Sequence, residues 1–190
     1  MEIPVTHKLL RSAFFGLVSC VTAASAQMSV HAVVGMVKHV DANSISIAVD
    51  SDTTKRYMIE PSTHVSLEFP AELRASATDA GKFQKIGDYV LLYYYGFGSE
   101  PTAAAVKDLG PGPFAKVQGQ VVSFDKHSHM LTLKDDAGKQ VTLSMDDSVV
   151  VDKDTGVDSG KKFSPHKGDE VRVTYGTGAT PTVAFLRETL

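Results

Sequence analysis

The chain has 190 residues, 43% of them apolar, which is material for one ordinary domain or two small ones and is not the composition of a disordered polymer. Its 22 acidic and 19 basic side chains leave a formal net charge of −3, so no strong positive field advertises nucleic acid or an anionic membrane as the partner.

Residues 1–26 have the layout of an export signal. Lys8 and Arg11 form a basic start, Ser12 to Ala23 an uncharged and mostly apolar run, and Ala24, Ser25 and Ala26 a small-x-small cleavage site. That run falls short of the roughly 20 residues a membrane-spanning helix needs, and no other stretch approaches it. The expected location is therefore the periplasm. A second processing route is open, because Leu17, Val18 and Ser19 precede Cys20 in the order of a lipobox, and acylation of Cys20 would tie the protein to a membrane. Cys20 is the single cysteine, so neither route leaves a disulfide.

From residue 31 to 109 apolar residues alternate with polar ones, the period of half-buried β-strands, and helical spacing is scarce. One insert, residues 70–85, holds Ala71, Glu72, Leu73, Arg74 and Ala75, a sequence that predicts one or two helical turns. The strand after it is apolar on both faces: Val90, Leu92 and Tyr94 on one, Tyr89, Leu91, Tyr93 and Tyr95 on the other. A row of tyrosines on a sheet surface needs a cover, which predicts an interface with the rest of the chain, with the 70–85 insert, or with an outside ligand or protein. Residues 110–115, opening Gly-Pro-Gly-Pro, predict a linker.

Beyond the linker, strands are predicted at Lys116 to Phe124, His129 to Lys134, Gln140 to Ser144, Val149 to Val151, Glu170 to Tyr175 and Thr182 to Arg187. This second stretch, residues 116–190, repeats the first. At a shift of 84, Gly35, Val37, Asp41, Ile47, Val49, Asp52, Lys55, Ile59 and Val65 fall on Gly119, Val121, Asp125, Leu131, Leu133, Asp136, Lys139, Leu143 and Val149. Past a shorter loop, Gly87, Asp88, Val90, Leu92 and Tyr94 match Gly168, Asp169, Val171, Val173 and Tyr175, and Pro101 and Thr102 match Pro181 and Thr182. Five strands with a short helix or loop after the third is the layout of the OB barrel, so the expected fold is all-β, two tandem small OB-like five-stranded barrels.

The run Gly35, Met36, Val37, Lys38, His39, Val40, Asp41, followed by the Gly-Asp-x-Val strand, resembles small exported bacterial OB-like modules of uncharacterised function and, more distantly, periplasmic copper chaperones of the CusF type. The latter resemblance implies a soft Cu(I) site of His and Met beside a Trp. This chain offers His39, Met36 and Met58 as soft donors and has no Trp.

Two further metal candidates come from spacing. His127 and His129, two apart on a strand, would share a face and reach one Zn²⁺ or Cu²⁺, with His166 or the Asp135 and Asp136 pair as a third ligand. Asp152, Asp154 and Asp158, alternating around Gly156, offer oxygens of the kind Ca²⁺ takes, although not in EF-hand order. No nucleophile elbow, His-Glu-x-x-His pair or phosphate-cradling glycine loop is present, so no catalytic residue is predicted. The expected function is an exported envelope binding or interaction module without catalysis or resident cofactor, its partner an envelope protein or small ligand and not nucleic acid. The alternative is a periplasmic copper- or zinc-binding protein.

Overall fold

The computed structural model describes residues 28–50, 53–60 and 67–189. The predicted export signal, residues 1–26 with Cys20, lies outside the described residues. Elements in chain order are β1 (Met28–Ser29), β2 (His31–Val40), β3 (Ser44–Asp50), β4 (Thr53–Met58), β5 (Leu67–Glu68), α1 (Ala71–Ala75), β6 (Thr78–Asp79), β7 (Tyr89–Tyr95) and β8 (Thr102–Gly110), followed by β9 (Phe114–Asp125), β10 (Met130–Asp135), β11 (Gln140–Ser144), β12 (Val150–Lys153), β13 (Gly156–Ser159), β14 (Glu170–Gly176) and β15 (Thr182–Thr189). The alternating valines and isoleucines behave as their period demands, one face of each strand turning into a core.

In the first sheet the order is β4-β3-β2-β7-β8-β6, and a parallel contact of Met58 with Thr102 joins β4 to β8, closing five strands into a ring. In the second, β11-β10-β9-β14-β15 closes through Ser144 against Thr182, with β12 and β13 added beside β15. The protein is two tandem OB-like barrels. One core is built on Val37, Ile45, Ile47, Tyr57, Val90 and Leu92, the other on Val121, Leu131, Leu133, Leu143, Val171 and Val173.

The repeated residues are those that make the barrel. Gly35 and Gly119 lie where two strands cross so closely that a Cβ would stand 2.7 Å from the Ala48 carbonyl oxygen and 2.3 Å from that of Lys134. Gly87 and Gly168 take positive φ (93° and 96°), which starts β7 and β14 from a tight turn. In both copies that turn is pinned identically: the Asp88 and Asp169 carbonyls accept from Val37 and Val121 N–H, whose own carbonyls accept from Gly87 and Gly168 N–H. The Pro101 and Pro181 carbonyls accept from Met58 and Ser144 at the points of closure. Asp41 and Asp125 brace the first hairpin by accepting from turn N–H groups and from the Ser44 and Ser128 hydroxyls. Those bonds hold both carboxyls below the usual range, led by the Asn43 N–H at Asp41 and the Ser128 hydroxyl at Asp125.

The register differs from the uniform shift of 84 in one place. Ser44 pairs with Met58 and Met130 with Ser144, so across β3 and β4 the structural shift is 86 and Ile45, not Ile47, stands where Leu131 does. The first hairpin of the second copy is two residues longer. A slip of two preserves the face of every strand residue, so the hydrophobic pattern does not resist it.

Candidate functional site

The two barrels meet along the row of apolar residues that the sequence leaves on the outer face of β7. Ala32 and Val34 of β2, Leu91 and Tyr93 of β7 and Ala105 of β8 form one wall of a third apolar cluster, and Val150, Val157 and Phe185 of the second barrel form the other. At the matching positions the second barrel carries Lys116, Gln118, Arg172, Thr174 and Phe185. There Arg172 donates to the Gln118 side chain at 2.9 Å on an exposed face. The copies have diverged on this surface.

The insert also contributes to the cover. Leu73 of α1 is buried in the seam, and the Phe69 ring lies 4.7 Å from that of Tyr93 with Arg74 over its other side. Of the predicted tyrosine row, Leu91, Tyr93 and Tyr95 are buried within the chain, and Tyr89 is half-buried against Phe114 across the linker. As a surface for an outside partner the row is therefore corrected, because the chain's own second half occupies it.

Two hollows flank this seam. One, of about 350 Å³, lies between Met36, Ala48 and Tyr89 of the first barrel and Phe114, Lys116 and Thr174 of the second, where the Lys116 ammonium donates to the Val49 carbonyl. The other, of about 510 Å³, opens on the opposite part of the seam and is lined by Met28, His31, Tyr94, Phe97, Asp154 and Arg187.

Beneath the larger hollow sits a charged set that spans both barrels. Asp152 of β12 is fully buried, and its Oδ1 lies 3.0 Å from His31 Nδ1 of the first barrel. Among the described residues its Oδ2 has no hydrogen-bond partner; Arg187 Nε, on the neighbouring strand, stands 3.9 Å away. Burial pushes the Asp152 carboxyl above its ordinary value, outweighing the pull of His31 and Arg187. When ionised, the Asp152 carboxylate only accepts, so His31 then donates to it from Nδ1. Tyr94 stands beside His31, ring centroids 6.0 Å apart, and burial together with the Asp152 charge pushes its phenol up.

The aromatic partner in this hollow is Phe97, on the loop after β7. It is 93% exposed, whereas the equivalent loop of the second barrel, Gly-Thr-Gly-Ala-Thr-Pro, has Thr177 in its place. Past Phe97 the surface continues into a smaller hollow of about 280 Å³ flanked by Lys55, Arg56 and Ser99.

The predicted metal ligands stay apart. Met36 pairs with Ala48 and Met58 with Ser44, two strands across and four residues along the sheet, a backbone separation of roughly 16 Å. His39 faces Asp41 instead, at 3.4 Å. His127 and His129 lie in the turn before β10, where His129 has φ 56°, so the two-residue strand period does not apply, and His129 leans on Asp147 at 3.7 Å. His166 stands beside Asp169, and Asp135 braces its own hairpin through the Lys139 N–H. The calcium-like loop is a β-hairpin: Asp152 pairs with Val157, Asp158 with Val151, and the carboxyls diverge, Asp152 inward to His31 and Asp158 outward to Lys162 at 2.9 Å. Among the described residues no group of three or more His, Cys, Asp or Glu side chains is placed to hold a metal ion.

No family model matches the chain, and no curated protein sequence does either. Among solved structures, Ag(I) CusF is similar with a TM-score of 0.32 and 13% identity, over 40% of this chain and 99% of its own. Drosophila Unr CSD456 is similar with a TM-score of 0.31 and 12% identity, over 86% of this chain and 63% of its own. At those values neither likeness says what this chain binds.

Proposed function

We propose that the protein is an exported binding module that holds a small ligand in the seam hollow walled by His31, Tyr94, Phe97 and Arg187. One observation carries this: a carboxylate, Asp152, is kept fully buried beneath the hollow with one oxygen lacking a hydrogen bond among the described residues. A buried, half-paired charge destabilises a fold relative to an apolar side chain of similar size, so it is retained where it holds a functional group in place. Here it fixes the ring of His31 at the floor of the hollow. The hollow's volume is within the range of small-molecule sites, and its lining, aromatic with a few polar groups, has the character of one. Export rests on the basic, apolar and small-residue order of residues 1–26.

The test is a fragment screen read by amide chemical shifts in the ¹⁵N-labelled protein. Hits should move the amides of residues 28–31, 94–98, 154 and 187 together. A screen whose hits leave that set still, or move only the Phe114 and Thr174 side of the seam, overturns the assignment.

A further inference from the structure

Resting on that assignment of the site, we infer that its ligand is a small organic anion carrying a flat ring. The ring is called for by Phe97 and Tyr94. Phe97 exposes nearly its whole side chain on a glycine-flanked loop at the mouth of the hollow, while Tyr94, its ring centroid 5.2 Å from that of Tyr57, lines the hollow. A flat ring entering between them covers the exposed ring of Phe97, and aromatic faces favour offset or edge contacts with a second ring.

The negative charge is called for by the cations. Arg187 lines the hollow itself, and Lys55 and Arg56 line its continuation on the other side of Phe97, so three cations flank one aromatic residue in a chain of formal net charge −3. The carboxylates nearby are partly engaged. Glu100 lies 3.9 Å from Arg56, and Asp152 is sealed below Arg187, out of reach of a ligand. Among the described residues, Asp154 is the carboxylate that lines the hollow. The Arg187 side chain is about half exposed; its guanidinium interacts with the Tyr94 hydroxyl and with Asp152, and its planar fork has further donors that suit a carboxylate or a phosphate. The second barrel has no such arrangement, since its loop carries Thr177 and its strand residues matching Lys55 and Arg56 are Val141 and Thr142.

The protein contains no tryptophan, so an indole probe reports its own binding by fluorescence. Indole-3-acetate titrated with the protein should show a saturable blue shift and a rise in anisotropy. Tryptamine, with the same ring and the opposite charge, should bind at least tenfold more weakly, and cyclohexylacetate, with the acid but no flat ring, should compete at least tenfold more weakly. Phe97→Ala, at an exposed position that leaves the fold intact, should weaken indole-3-acetate at least tenfold. Lys55→Gln with Arg56→Gln should weaken it severalfold and flatten its salt dependence, with melting temperature unchanged in both variants. Tryptamine binding as well as the acid, or Phe97→Ala binding like the native protein, overturns the inference. If fragments move the residues lining the hollow while none of the three probes binds, the ligand class is wrong and the site stands; if nothing moves those residues, both fall.

Discussion

Replacing Leu91 by Arg and Tyr93 by Thr gives the first barrel the residues its copy carries at Arg172 and Thr174. Both native side chains are completely buried, and both face the seam instead of the barrel interior. Truncating a buried leucine costs about 2–5 kcal/mol and a buried aromatic about 3–5. A guanidinium brought into an apolar seam without a partner adds several more. The combined loss is at least about 5 kcal/mol, a factor of several thousand in the docking equilibrium. Because the barrel cores lie on the opposite face of the same strands, the barrels should remain folded and separate from one another. Small-angle scattering should show a larger radius of gyration, circular dichroism an unchanged β signal, and urea unfolding a loss of the shared transition. A double variant with native dimensions and a native urea midpoint would refute the placement of Leu91 and Tyr93 in the seam.

Other expectations follow from single groups. Tyr93 keeps its hydroxyl buried without a hydrogen bond among the described residues, so Tyr93→Phe should be at least as stable as the native chain, by up to about 1 kcal/mol in a denaturant titration; a clear loss would mean that the hydroxyl has a partner. Asp152 has its folded pKa raised by burial, so its penalty is absent below the unfolded value of 3.8 and fully present above the folded one. Asp152→Asn should therefore gain stability relative to the native protein as pH rises through that window, and a gap that instead narrows with rising pH would contradict the dominance of burial. Gly119→Ala drives a Cβ into the Lys134 carbonyl and should destabilise by about 1–3 kcal/mol or more, exceeding Gly35→Ala, where the clash is milder; thermal melts rank the two.

Most of the fold was legible because its determinants are local. Alternating valines predict strands, Ala71–Ala75 forms α1 with the bounds its composition suggests, and the repeated Gly-Asp, Pro-Thr and hairpin Asp mark the turns and closures on which each barrel depends. Strand β13 was missed because Asp152, Asp154 and Asp158 read as an acidic loop, whereas the chain turns there and pairs with β12. The site was barely legible. His31 and Asp152 are 121 residues apart in sequence and meet only because the barrels dock, an event that no local pattern encodes. The usable signal was divergence between the copies at the loop, Phe97 against Thr177, whereas Lys55 and Arg56 stand against Val141 and Thr142 only in the register of the folded strands. By contrast, the spacing of His127 with His129 carried no structural weight, since the first lies in a turn and the second in a left-handed conformation.

The most direct test of the central claim is crystallographic: crystals of the protein soaked with a cocktail of small aromatic fragments. The account predicts ligand density in the hollow between His31, Phe97 and Arg187, with Asp152 still bonded to His31 beneath it. Density confined to the Met36, Phe114 and Thr174 side of the seam, or to the barrel surfaces away from it, would contradict it.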